Sequence, residues 1–125
     1  MNESIDIPAM LAGYLDCVLW ASCDESGNSL DAEYFPTDID GASQNEARAD
    51  CVDFVLQCSE QNIDLEALPT DSARIGHDIW LTRNHHGAGF WDRGYGVIGD
   101  RLTDIAHAMG SCDAYVGDNG RVYLS

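Results

Sequence analysis

Between Pro8 and Cys23 the chain reads PAMLAGYLDCVLWASC, with Asp16 as its single charge. Leu11, Tyr14, Leu15, Val18 and Leu19 recur at helical spacing, and Pro8 suits a first helical turn, where its missing N–H costs nothing. A helix that is apolar nearly all round has no face to give to water, so it must sit at the centre of the core. The rest of the chain has to wrap it. The run is too short and too interrupted to span a bilayer, which takes about 18 apolar residues, and no basic segment precedes it. A soluble, unprocessed protein is therefore expected.

Three further elements are legible. SQNEARADCVDFVLQCSEQN reads as a helix capped by Ser43, with Glu46 three residues on as a capping box. Its apolar stripe is Ala47, Cys51, Phe54, Val55 and Cys58, and the opposite row is Glu46, Asp50, Asp53, Gln57 and Glu60. GDRLTDIAHAMGS reads as another helix, with Ile98, Leu102, Ile105, Ala106 and Met109 in register and Gly110 as its stop. DAYVGDNGRVYLS reads as two strands around an Asp118-Asn119-Gly120 turn.

The window His77–Gly96, HDIWLTRNHHGAGFWDRGYG, is the hardest to place. Residues 78–83 are rich in strand formers, residues 89–93 match them, and NHHGAG supplies a turn, so a first hairpin is expected here. Trp80, Thr82, Trp91 and Arg93 would share one face, and Asp92 would lie diagonal to Arg83 on the other. A short helix before Pro69 or around residues 72–75 is expected to precede it. The expected fold is α+β, in the order α-α-β-β-α-β-β: a four-stranded, largely antiparallel sheet of two hairpins with about three helices packed against it. Residues 1–125 suit a single domain, with an acidic helical half over 1–76 and a sheet-containing half over 77–125.

Charge narrows the function. The chain has 22 acids against six bases, every base is arginine, and the net charge is −16. Most of the acid falls in residues 1–76. Adaptation to a salty medium would spread it evenly, so the asymmetry points to a basic partner. Direct nucleic-acid binding is excluded, because phosphate contacts need lysine and arginine. Five cysteines without a CxxC pair and without an export signal suit reduced thiols in a cytoplasm.

Motifs for catalysis and metals are weak. His77, His85 and His86 with Asp78 lack the paired spacing of zinc sites, so no metal is expected. GAGFWDRGYG does not lead into a helix as a phosphate cradle would. Cys112 beside Asp113, with His107 upstream, is the one local arrangement resembling a nucleophile and base, and a core cysteine explains it more cheaply. No catalytic residue and no cofactor is assigned.

The strings GHDIWLTRNHHGAGFWDRGYG, LTDIAHAMG and DAYVGDNGRVYLS resemble a family of small acidic proteins encoded by tailed bacteriophages and prophages, with an HDxWLTRNxHGAGFWDRG core. The likeness spans Gly76 to Tyr123, a little over a third of the chain. The chain departs from that pattern at His85, where glycine is usual, and at Arg121, where lysine is usual. The resemblance implies phage origin and a host-cytoplasm location, and no mechanism.

Together these readings favour an inhibitor of a basic, nucleic-acid-binding host defence protein, of restriction or CRISPR type, acting by negative-charge mimicry. The partner-binding residues would be Asp24, Glu25, Asp31, Glu33, Asp38, Asp40, Glu46, Asp50, Asp53 and Glu60. A solvated helix face would show the same carboxylate row. Two alternatives remain at this point: a small-ligand binder or enzyme using His77, Arg83, His86 and Arg93, and a phage structural or assembly protein.

Overall fold

The computed structural model describes residues 5–86 and 89–125. Four helices account for about half of them: α1 (Ile7–Ala21), α2 (Gly41–Glu60), α3 (Ser72–Arg83) and α4 (Val97–Ala108). A two-stranded antiparallel sheet, β1 (Ala114–Val116) with β2 (Val122–Leu124), closes the chain. Its register pairs Ala114 with Leu124, Tyr115 with Tyr123 and Val116 with Val122. Gly120 takes the left-handed conformation (φ 79°) that the Asp-Asn-Gly turn requires.

α1 sits where its composition demands. Asp6 caps it by accepting from the Ala9 N–H at 3.1 Å, and Met10, Gly13, Tyr14, Leu15, Cys17, Val18 and Leu19 are buried. Only the row Pro8, Ala12, Asp16 and Trp20, at steps of four, is exposed. α2 buries Ala47, Cys51, Phe54 and Cys58, as its apolar stripe foretells. Its cap, however, is Asp40, which accepts from the N–H groups of Ala42 and Ser43. Ser43 instead lies inside the helix, where its hydroxyl accepts from the Leu124 N–H at 3.0 Å. The helix starts earlier than Ser43 because the chain before it is pinned to β2: the Asp40 N–H donates to Val122 O, and Ile39 bridges Val122.

The expected four-stranded sheet does not form. Its first hairpin is replaced by α3, which runs to Arg83, and by a single 3-10 turn at Phe90–Asp92. The outer residues Gly87 and Ala88 of the expected turn lie outside the described residues. Trp80 is buried while Trp91 is 53% exposed, so the two share no face. Asp92 is exposed, and Arg83 finds its carboxylate elsewhere.

The physical reason lies in burial. α3 hides Ile75, Gly76, Asp78, Ile79, Trp80, Leu81, Thr82 and Arg83, so it lacks the polar stripe that makes a helical period visible. Asp71 caps it through the Arg74 N–H at 2.8 Å. Gly76, which looks like a breaker in the sequence, is a packing residue. A Cβ there would fall 1.9 Å from Met10 O, and one at Gly13 would fall 1.9 Å from Ala73 O. The backbones of α1 and α3 therefore touch, and only glycine fits at the crossing.

Gly76→Ala should destabilise the protein by about 3 kcal/mol or more, since a backbone oxygen cannot step aside as a side chain can. Gly41→Ala, in open space at the start of α2, should be neutral or slightly stabilising. Urea unfolding followed by far-ultraviolet circular dichroism separates the two.

Candidate functional site

Half of the arginine in this chain is turned wholly or partly inward. Arg83 ends α3 and is buried. Its Nη1 donates to the Tyr14 hydroxyl at 2.9 Å and to Asp50 Oδ2 at 2.8 Å. Its Nε donates to Gly110 O at 2.8 Å, and its Nη2 to Met109 O at 3.1 Å. Burial works against the Arg83 charge, but the Tyr14 oxygen and Asp50 outweigh it and hold the guanidinium firmly protonated. Burial drives the Tyr14 phenol pKa upward, so it stays neutral.

A second pair lies under the middle of α3. Asp78 is fully buried and receives Arg93 through two bonds, Nη2 to Oδ1 at 2.7 Å and Nε to Oδ2 at 3.0 Å. This two-pronged geometry is the strong form of a carboxylate–guanidinium contact. The bond to Asp78 raises the Arg93 pKa. His77 Nδ1 stands 3.7 Å from Asp78 Oδ1, too long for a hydrogen bond, and is buried without a partner. Burial lowers the His77 pKa below its ordinary 6.5, against the pull of Asp78 in the other direction, so the ring is neutral near neutral pH.

The four residues of the small-ligand alternative thus go to separate tasks. His77 and Arg93 meet at Asp78, Arg83 turns to Asp50, and His86 is exposed beyond the end of α3. His85 packs on His107 with ring centroids 4.2 Å apart. Burial pushes the Cys17, Cys51 and Cys58 thiols up to about 12 and raises Cys112 as well. None is primed as a nucleophile at neutral pH. Cys51 and Cys58 pack as small apolar groups in the α2 stripe.

The acidic residues fall into two sets. Asp24 closes a turn by accepting from the Ser26 and Asn28 N–H groups, both at 2.9 Å, and Asp38 accepts from the Phe35 N–H at 2.8 Å. Asp31 is held by the Ser29 hydroxyl, Asp40 caps α2, and Asp50 anchors Arg83. Glu25, Glu33, Glu46, Asp53 and Glu60 are exposed and free of any recorded partner among the described residues. Sequence reasoning passed over the carboxylates of α4. Asp104 faces Asp53 across a groove of about 240 Å³ between α2 and α4, with Gln57 and Gln61 on its walls. Asp100 and Asp104, four apart on the polar face of α4, were the signal that could have placed them there.

The net result is a surface that keeps the anionic excess of the composition. Among the described residues, sixteen acids are exposed against three arginines, Arg48, Arg74 and Arg121. Arg101 is partly withdrawn as well, donating to Gln61 O at 2.8 Å.

Arg83→Leu should cost about 2–3 kcal/mol in urea unfolding, because the Tyr14 hydroxyl and two carbonyls lose one shared donor while Asp50, 39% exposed, turns to water. Arg83→Lys should recover only part of this, since an ammonium cannot reach four acceptors spread over three helices. For His77 the folded state disfavours the proton, so the unfolded chain binds more protons below about 6.5. Its contribution is therefore present above that pH and is lost as pH falls through the window beneath it. His77→Gln should flatten that part of the stability–pH curve, measured by urea midpoints between about pH 5 and 7.

Among the described residues no helix is long and apolar enough to cross a membrane. Comparison of the chain with protein-family models, with curated proteins and with solved structures found no match. The function has to be argued from the surface itself.

Proposed function

We propose that this chain is an acidic inhibitor that binds a basic, nucleic-acid-binding protein and blocks it by presenting carboxylates where phosphates would lie. The observation that carries this reading is the sixteen-to-three excess of acids over arginines on the exposed surface. Half of the arginines are spent on internal or partly internal bonds rather than on neutralising that surface. On α2 the exposed carboxylates Glu46, Asp53 and Glu60 stand on a well-anchored helix at steps of seven residues, about 10 Å apart along its axis. Asp104 extends the row across the α2–α4 groove. A rigid array of this kind holds its negative field in a fixed shape, which a flexible acidic tail does not. Repulsion among the carboxylates opposes folding, so their retention needs a reason, and a cationic groove on a partner supplies one.

The kind of partner follows from the resemblance over Gly76–Tyr123 to small phage and prophage proteins. In a phage setting, the basic partner is a host defence protein of restriction or CRISPR type, met in the host cytoplasm. The contact set is now better drawn from Glu46, Asp53, Glu60 and Asp104 than from all ten acids named at the outset. Asp24, Asp38, Asp40 and Asp50 are committed to turns, caps and the Arg83 bond.

The test is charge reversal combined with competition. The wild-type protein should bind its basic partner at low salt, compete with duplex DNA or guide RNA for it, and lose about tenfold or more in affinity between low and physiological salt. Glu46→Arg, Asp53→Arg, Glu60→Arg and Asp104→Arg together should abolish capture while leaving the circular dichroism spectrum unchanged. Capture that survives this reversal, or that ignores both salt and nucleic acid, would sink the reading.

A further inference from the structure

Trp20 is 58% exposed although it belongs to the helix at the centre of the core. It stands on the one solvent-facing row of α1, a single turn beyond Asp16. Tyr34 and Phe35, from the segment that follows α1, line an open cleft of about 390 Å³ with it, and Asp16, Asp31 and His77 are among the other residues of its walls. That volume is at the small end of ligand pockets, the size for one side chain and not for a large cofactor.

The cleft is built, not incidental. Ser29 Oγ lies 2.8 Å from Asp31 Oδ1 and 3.0 Å from Trp20 O, tying the two walls together. Phe35 is 71% exposed, yet its backbone is fixed: its N–H donates to Asp38 Oδ2, and its carbonyl accepts from the Asp38 N–H, both at 2.8 Å. The His77 ring backs Trp20 with centroids 5.7 Å apart, and, being neutral near neutral pH, it does not repel a cation.

Exposed aromatic faces with two carboxylates at their rim make a complementary surface for one chemistry: a cation on an apolar stem. Tryptophan offers the strongest ring face for it. A guanidinium suits the cleft better than an ammonium, because it is planar, stacks on a ring and can pair with carboxylates through two N–H groups. We propose that this cleft is a receptor for an arginine side chain of a basic partner protein, with the guanidinium over the Trp20 ring and paired to Asp16 and Asp31. The inference takes from the proposed function only the source of the arginine. The cleft shares no residue with the α2 row or the α2–α4 groove.

The full chain, labelled with nitrogen-15, can be titrated with N-acetyl-arginine methylamide and with the neutral citrulline analogue. The Trp20 indole N–H signal, assigned through Trp20→Phe, should move and saturate with arginine and respond at least about fivefold more weakly to citrulline. Asp16→Asn with Asp31→Asn should weaken the arginine response by a similar factor while the Trp80 and Trp91 signals stay in place, which reports an intact fold. Equal responses to both compounds, or shifts spread over the surface carboxylates without saturation at Trp20, would overturn the assignment. The readout needs no partner protein. Saturation at Trp20 upholds the cleft even if charge reversal on α2 and α4 leaves partner capture untouched, and its absence removes the cleft without touching the mimic.

Discussion

Arg83 is the group on which the arrangement of the helices depends. From the last turn of α3 it reaches Tyr14 on α1, Asp50 on α2 and the carbonyls of Met109 and Gly110 that end α4. Carbonyls at a helix end have no partner within their own helix and carry partial negative charge, so a cation placed among them answers both needs. A pair of this kind, with its guanidinium buried and its carboxylate half in water, is not a large net source of stability when compared with well-packed apolar groups. What it supplies is a penalty for every other arrangement. If α4 slid by a turn, or α2 rolled so that Asp50 faced water, a buried guanidinium would be left short of acceptors. The apolar contacts hold the helices together, and Arg83 sets their register.

That register is possible because α1 and α3 lie so close. With glycine at 13 and 76 the backbones meet, which brings Tyr14 edge-on to Trp80 with centroids 5.4 Å apart and puts its hydroxyl within reach of Arg83. The same crossing buries the whole C-terminal part of α3, Asp78 included, and Arg93 then has to come in from the following loop to meet that carboxylate. One steric fact therefore propagates. Two missing side chains allow a contact, the contact buries two charges, and each buried charge recruits a partner from a different part of the chain.

This chain of causes explains which parts of the molecule could be read from its sequence. α1 was legible from its length and from Pro8 at its start, and the apolar stripe of α2, α4 with its Gly110 stop and the C-terminal hairpin were legible because each has one face in water or one turn that only certain residues permit. α3 was not. Buried on almost every side, it shows a block of Ile, Trp, Leu and Thr that is as consistent with a strand as with a helix until its neighbours are known. Gly76 pointed the wrong way for the same reason, since its value lies in the contact with Met10 and is invisible along the chain. On the surface, the excess of carboxylate was plain from composition, but its distribution was not. Nothing in a residue count says that Asp50 is paired inward, that Asp40 is a cap, or that Asp104 joins Asp53 across a groove.

The absence of lysine from the whole chain fits this division of labour. Arg83 serves four acceptors and Arg93 grips both oxygens of one carboxylate, tasks that need the forked geometry of a guanidinium and that an ammonium cannot perform. Surface lysine, by contrast, would only dilute the outward field. A chain selected merely for solubility has no reason to separate its charges this way, because mixed signs keep a surface soluble as well. Here half of the arginines stand at positions where geometry is at stake, and on the exposed surface carboxylates outnumber arginines sixteen to three among the described residues. An arginine from another molecule entering the cleft at Trp20 would follow the same rule, since Asp16 and Asp31 stand there without an arginine of this chain paired to either. The molecule spends half of its guanidinium groups on its interior and leaves most of its outer carboxylates to be answered by something else.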